Sequence, residues 1–332
     1  MTNRPLLSII ITSYTIERLK DIFKLLDSIK AQTYDHSETI LVIERSMELL
    51  DRIKQYAEEK AIPNVNVVFN HGEPGLSAAR NLGIKEARGD IIAFIDDDAL
   101  PFPDWAEEIV KTYEDDSVIA ATGPAVPLWE DEAMAWFPEE FYWIIGCTAW
   151  YVDSETKGIT PVRNVWGMNM SFRREAFDLA GTFSSDIGGI QGQRLHGEEV
   201  DLSLRVKRKT GKRIVYNSKV KVRHKTYKRR LSTRFIARNS YWIGYTRPML
   251  KRIYPKTETD TDLLSTEYPL LKRILTRLFP EILKGFFKNP ITAWCKLRVT
   301  VISLFFVTLG YSTCLFQGLF SHREAMVNRE ES

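Results

Sequence analysis

A chain of 332 residues, 44% hydrophobic and 27% charged, has room for one large domain with an appendage or for two domains, and its composition is that of a globular protein. Its three cysteines, Cys147, Cys295 and Cys314, are too few and too far apart for a disulfide framework or a cysteine zinc site, and they point to a reducing compartment. The net charge of +3 conceals an asymmetry: residues 1–200 carry 18 Lys and Arg against 34 Asp and Glu, while residues 201–332 carry 28 against 9, so the basic third is expected to meet an anionic partner.

Leu6 to Ile11 reads as a first buried strand running into Thr12-Ser13-Tyr14. It is too short for the apolar core of a signal peptide and has no small-residue cleavage pattern, so none is expected. Leu19, Ile22, Phe23, Leu26 and Ile29 then recur at helical spacing. Thr39 to Ile43 is a second strand ending in Glu44, and Met47, Leu50, Ile53 and Ala57 share one face of a second helix. Val65 to Phe69 is a third strand. The turn-rich Asn70 to Gly75 leads to a helix from Ala78 to Arg88, with Ser77 as N-cap and Gly89 as the closing C′ residue.

Ile91 to Ile95 is a short continuous apolar run, the pattern of a strand covered on both faces. It ends in Asp96-Asp97-Asp98, and Pro101 and Pro103 stop it from continuing as a paired element. Adjacent carboxylates repel, so they need water or a cation. A solvated acidic turn would answer the same pattern. Asp96 and Asp98 can converge on one ion only if the chain turns there, as Pro101 and Pro103 suggest. Hard cations such as Mg²⁺ or Mn²⁺ take such oxygen ligands together with phosphate.

Trp105 to Tyr113 marks another helix and Val118 to Thr122 another strand. Strands and helices alternating in this way predict an α/β fold, a Rossmann-like, doubly wound and mostly parallel sheet with its polar strand ends on one edge. The Gly-x-Gly-x-x-Gly fingerprint is missing after the first strand, which argues against a dinucleotide cofactor. Trp129, Trp136, Phe137, Phe141, Tyr142, Trp143, Trp150 and Tyr151 crowd the next stretch and are suited either to stacking on a sugar or lipid or to ordinary core packing. Val165 to Phe172 is read as one strand, in which Gly167 permits close backbone approach beside Trp166 and Asn169. Four glycines between Gly188 and Gly197 form a loop, and a helix follows with Glu198 and Glu199 in its first turn. These acids suit either the helix dipole or a general base. Val220 to His224 alternates like a strand, with His224 at its end.

These segments, Leu7–Tyr14, Ile40–Ser46, Gly75–Gly83 with Asp90–Asp98, Asn169–Phe177, Gly197–Leu204 and Val222–His224, together resemble a family 2 glycosyltransferase of GT-A fold over roughly residues 6–230. The resemblance implies that Thr12, Tyr14, Glu44, Arg80 and Asp96 contact the nucleotide of a sugar donor. It implies that Asp96 and Asp98 hold the diphosphate through Mg²⁺ or Mn²⁺ with His224 nearby, and that Trp166, Gly167 and Asn169 lie at the donor or acceptor sugar. Glu199 falls at the family's catalytic aspartate, in a Glu198-Glu199 pair one methylene longer than the usual one, and Glu44 also replaces an aspartate. The implied reaction is a single inverting displacement onto an acceptor hydroxyl. The Gln-x-x-Arg-Trp motif of processive synthases is absent; the nearest segment is Ala237–Trp242, so one sugar per encounter is expected.

The expected division is a transferase domain over 1–230 and a helical region over 231–332, its pieces separated by Pro255 and Pro269. Residues 299–321 carry no charge and reach the length of a membrane span, with Lys284, Lys288, Lys296 and Arg298 ahead of them. A membrane-associated protein on the cytoplasmic face, peripheral or single-pass, is expected, acting on a lipid-linked or other glycan precursor. A helix lying in the interface, a buried helical hairpin and a dimer interface are alternatives. A sugar nucleotidylyltransferase would normally show a glycine-rich basic signature after the first strand. A nucleic-acid or membrane-binding role without catalysis would need neither Asp96, Asp98 nor Glu199. No nucleic-acid module surrounds the basic stretch, so no nucleic-acid partner is expected. No motif specifies an oligomeric state.

Overall fold

The computed structural model describes residues 4–148, 158–184, 197–254 and 267–330. The Gly188–Gly192 glycines, Trp150, Tyr151 and Pro255 lie outside the described residues. Two compact units divide the chain. The first holds the described residues up to Leu128, those from Gly146 to 184, and Gly197–Thr226; the second holds Trp129–Ile145 and the described residues from Tyr227 onward.

The first unit begins with three strand–helix repeats: β1 (Leu7–Ser13), α1 (Leu19–Lys30), β2 (Ser37–Ile43), α2 (Met47–Glu59), β3 (Val65–Phe69) and α3 (Leu76–Glu86), followed by β4 (Ile91–Ile95). β5 (Ala99–Pro101), α4 (Trp105–Thr112), β6 (Val118–Thr122), β7 (Ala125–Trp129), β8 (Ile159–Pro161), β9 (Asn169–Arg173), α5 (Glu175–Ala180), α6 (Glu198–Thr210), β10 (Arg213–Asn217) and β11 (Val222–Thr226) complete the order. The main sheet runs β3-β2-β1-β4-β9-β6-β10-β8. β1 is parallel to β2 and β4, and β6 to β10, while β9 and β8 run against their neighbours. A second sheet has the order β5-β11-β7.

The two-residue period of a strand explains why β4 is apolar throughout. Ile91, Ala93 and Ile95 join one core with Ile22 and Leu25 of α1, Ile53 of α2 and Trp105 of α4. Ile92 and Phe94 join a second core with Ala79 of α3, Phe177 of α5 and Leu202 of α6. Helices therefore cover both faces, as a doubly wound sheet requires. Each fully buried Leu, Ile or Phe here contributes about 1.5–3 kcal/mol.

Several local expectations need correcting. Met47, the first residue of α2 after the Ser46 cap, is exposed, and Leu49 is buried with Leu50, Ile53 and Ala57. The N-cap of α3 is Gly75, and the Ser77 hydroxyl is buried without a hydrogen-bond partner. Gly89 is needed for close approach: a Cβ there would lie 2.5 Å from the Leu6 carbonyl oxygen. The Val165–Phe172 run is not one strand, since Trp166 and Asn169 close a tight turn in which the Asn169 amide donates to the Trp166 carbonyl (3.0 Å), and β9 starts only at Asn169. His224 is the middle residue of β11, not its end.

The second unit carries α7 (Thr233–Ile253), α8 (Glu267–Arg273), a π-helical turn (Ile274–Leu278), α9 (Phe279–Lys288) and α10 (Pro290–Glu330). Pro269 sits in the first turn of α8, where a missing N–H leaves no helix bond unmade, so it does not break the chain into pieces. Phe137 and Phe141 are fully buried and Phe137 stacks on Tyr142, which assigns these aromatics to packing. α7 and α10 cross where glycines remove the side chains: a Cβ on Gly244 would lie 2.1 Å from the Val307 oxygen, and one on Gly310 2.0 Å from that of Tyr241.

Candidate active site

The end of β4 is where the chain turns. The Ala99 amide donates to the Asp96 carbonyl (3.0 Å), and β5 leaves the main sheet to pair antiparallel with β11, Ala99 opposite His224. That register sets the imidazole beside the acidic turn. His224 Nε2 lies 2.9 Å from Asp98 Oδ1 and 3.5 Å from Asp96 Oδ2. Its Nδ1 faces the Gly146 carbonyl at 2.7 Å. A carbonyl only accepts, so Nδ1 carries a hydrogen. In the neutral imidazole Nε2 is then an acceptor, and it and the two carboxylates lie within 4.8 Å of one another, a group that could hold a cation. Two carboxylate oxygens and one imidazole nitrogen fit a divalent ion, and the Nδ1–carbonyl bond is the usual outer support of a metal-binding histidine.

Asp97, between the two, faces the other way. The Ser13 hydroxyl at the end of β1 donates to its Oδ2 (2.6 Å), and Arg18 Nε stands 3.8 Å from its Oδ1. Burial, and then the charge of Asp98, push its carboxyl up to about 7, against the pull of Arg18 and Ser13. The Arg18 guanidinium also binds Asp98 Oδ2. Lys225, next to His224, pairs with Asp21 of α1 at 2.6 Å, so both partners of the acidic turn are tied to α1 or the turn before it. Nothing in the local sequence marks Ser13, Arg18 or Asp21 for this; they lie more than 70 residues from their partners.

The strand-end residues named from the sequence divide into two groups. Thr12 pairs with Val42 inside the sheet, and Tyr14 just beyond it is exposed, with the Arg45 guanidinium 5.9 Å from its ring centre. Glu44 is buried, and its Oε1 accepts from Asn70 Nδ2 (2.8 Å) and from the Gly75 amide (2.9 Å), which shapes the loop that leads into α3. Asn169 is also buried: its Oδ1 accepts from Trp105 Nε1 and its Nδ2 donates to the Val220 carbonyl, so both ends of the amide bind protein. Trp166 sets its ring edge-on to Tyr216.

α3 and α6 both start from a glycine at strongly positive φ, Gly75 (+147°) and Gly197 (+144°), a backbone that L side chains rarely adopt. From α3 the buried Arg80 reaches Glu198 at the start of α6, 3.1 Å from Oε1, and lies 3.4 Å from the Gly167 carbonyl. A Cβ on Gly167 would come within 3.0 Å of the guanidinium, so a side chain there would crowd the pair. Glu198 Oε2 accepts from the Gly197 amide. Glu198 is thereby held as a structural link between helices, while the adjoining Glu199 is only half-buried.

A doubly wound sheet with an acidic cluster and an imidazole at its strand ends is the arrangement of a GT-A-type fold. The family model described as glycosyl transferase family 2 matches residues 8–180, just over half of the chain. A glucosyl-dolichyl phosphate glucuronosyltransferase of Haloferax volcanii is 30% identical over 307 residues, 92% of this chain and 94% of that protein. The putative glycosyltransferase EpsH of Bacillus subtilis is 37% identical over 114 residues, 34% of this chain and 32% of its own length. Among solved structures, a mannosyltransferase from Pyrobaculum calidifontis in complex with GDP-Man and Mn²⁺ superposes with a TM-score of 0.57 at 17% identity, covering 91% of this chain and 88% of that one. The chain belongs to glycosyl transferase family 2.

Proposed function

We propose that this glycosyltransferase is an inverting, divalent-cation-dependent enzyme. It moves one sugar from a nucleoside-diphosphate donor to a hydroxyl on a polyprenyl- or dolichyl-phosphate-linked acceptor at the cytoplasmic face of the membrane. The observation that carries the reading is the convergence of Asp96, Asp98 and His224 at the end of β4. These three would hold Mg²⁺ or Mn²⁺, which supplies positive charge to the leaving diphosphate. The named lipid-linked substrate of the Haloferax volcanii relative, over nearly its whole length, supports the acceptor class.

The residues then have the following parts. Tyr14 and Thr12 border the nucleotide. Glu44 and Arg80 act on the donor site mainly by shaping it, through the Asn70–Gly75 loop and the start of α6. Trp166 and Gly167 border the sugar, and Asn169 holds their turn in place. Glu199, which falls at the family's catalytic aspartate, is the base, and Glu198 beside it is held by Arg80. Glu199 takes the acceptor hydroxyl proton; that oxygen forms a bond to the anomeric carbon as the bond from carbon to diphosphate oxygen breaks on the opposite face. One displacement inverts the anomeric configuration and releases a nucleoside diphosphate.

The test is a donor panel that includes mannosyl and glucuronosyl nucleotides, with membrane lipid extract as acceptor and with Mn²⁺ or EDTA. Release of nucleoside diphosphate from one donor, abolished by EDTA and by Asp98→Ala, is expected. No turnover of any donor, or turnover untouched by EDTA, would sink the reading.

A further inference from the structure

The second unit has a feature that no catalytic role uses. Along α8, the π-turn and α9, Leu271, Leu275, Phe279, Leu283 and Phe287 recur every fourth residue, which places them along one ridge. All five are exposed, Phe287 at 93%. The next ridge, Ile274, Leu278 and Ile282, is buried and holds the helix to its own unit. α9 then turns back on α10 through Gly285 against Ala293 and the Glu281–Lys296 pair (2.5 Å). Lys272, Arg277, Lys284 and Lys288 flank the exposed ridge, and the one acid between them, Glu281, is paired.

α10 invites a simpler reading, since Pro290–Gln317 is long and apolar enough to cross a membrane. Its partner helix argues against crossing. Gly244 meets Val307, and eight residues further along each helix Arg252 donates to the carbonyls of Cys314 and Leu315. α7 and α10 therefore run side by side in the same direction, and a bilayer crossed by α10 is crossed by α7 too. Between Arg238 and Arg247 α7 has eight uncharged residues, about 12 Å of helix, against a hydrocarbon core of about 30 Å. Arg247, Lys251 and Arg252 would enter hydrocarbon, where each costs about 2.5–3.5 kcal/mol at the centre of a span.

We propose that the second unit is a monotopic membrane module: the ridge from Leu271 to Phe287 lies in the headgroup–acyl boundary of an anionic leaflet, and α10 does not cross. An aromatic-rich apolar ridge between lysines and arginines is the composition of an in-plane helix. A second copy of the chain is a poorer occupant, because a two-fold contact through this ridge sets the same four cations against themselves. The proposal shares the membrane location proposed above and is independent of the transferase chemistry.

The experiment uses the full chain and vesicles free of glycolipid, donor and metal, so its failure is separate from any failure of the catalytic reading. Co-sedimentation is compared on vesicles of neutral phosphatidylcholine and of the same lipid with phosphatidylglycerol. Anionic vesicles are expected to bind about tenfold or more tightly, and Leu275→Asp with Leu283→Asp to lose about tenfold or more. Both positions are exposed, so the circular dichroism melt should stay in place. Lys284→Glu with Lys288→Glu, which leaves the apolar ridge intact, should abolish only the preference for anionic lipid. Asn328→Cys in a Cys295→Ser background should react with an impermeant maleimide on preformed vesicles at the rate seen in solution. Protection of that cysteine would show a crossing, and equal binding by the ridge variants would place the contact elsewhere. A vesicle-independent dimer lost in the ridge variants would give the ridge to a second copy. Any of the three overturns the proposal.

Discussion

The two units treat polar and apolar groups in opposite ways. In the first, apolar side chains fill two cores around β4, and charged groups such as Asp98, Arg80, Glu198 and His224 are taken inside and paired. In the second, the charged groups mostly stay outside and large apolar side chains, Leu275, Phe287 and Trp294 among them, stay outside with them. Burying charge is costly unless every partner is present, and it is kept where chemistry needs a fixed field. Exposing a long apolar ridge is costly in water and suits a surface that meets a different solvent.

The contrast breaks most sharply if the buried charges of the first unit prove dispensable. Asp98→Ala and Glu199→Gln should each lower kcat by about 10³-fold. The first should also abolish the response to Mn²⁺, and the second should leave donor KM unchanged. Nucleoside diphosphate release measures both, and a variant with near-wild-type turnover would remove its residue from the site. Glu198→Gln separates holding from catalysis. It leaves Arg80 buried without its counter-charge and should destabilise the first unit by about 3–5 kcal/mol, read by denaturant unfolding.

A sharper view of the second unit comes from its helix crossing. Gly310→Val puts a branched side chain where a single Cβ already lies 2.0 Å from the Tyr241 oxygen. It should cost about 1–3 kcal/mol and raise amide exchange in α7 and α10 while leaving β1–β4 protected. Equal loss of protection in both units would mean that they unfold as one.

The smallest expected effect lies at the other edge of the sheet from the acidic turn. Burial raises the Glu38 carboxyl, but the Arg88 amide, the Ser8 hydroxyl and the Arg88 guanidinium outweigh it and hold the carboxyl below its ordinary range. A lowered folded-state value gives stability that is present above the unfolded value of about 4.3 and is lost as pH falls through the folded one. Glu38→Gln should therefore flatten the acid limb of the melting temperature below about pH 4.5. An unchanged limb would mean that the Ser8–Arg88 contacts do not favour the ionised form.

Much of this molecule was legible in the chain. The apolar run at Ile91–Ile95, the helical spacing from Leu19 to Ile29 and the acids at the start of α6 are local patterns, and local patterns follow from backbone period and side-chain size. The order of the motifs was enough to reach the family. The delay of β9 to Asn169 was not legible, because the Asn169 side chain is held by Trp105 and Val220, both distant in sequence.

By itself, then, the sequence determined the alternation of strands and helices, the carboxylates at the end of β4 and the segregation of acidic and basic residues. Only the tertiary structure decided that Asp96, Asp98 and His224 share one point, that Arg80 claims Glu198, and that α7 runs beside α10 with its arginines. Each of these depends on strand pairing or helix packing between segments tens of residues apart or more. Pairings of that kind are chosen by the burial and charge balance of the whole unit, which no single window of sequence contains.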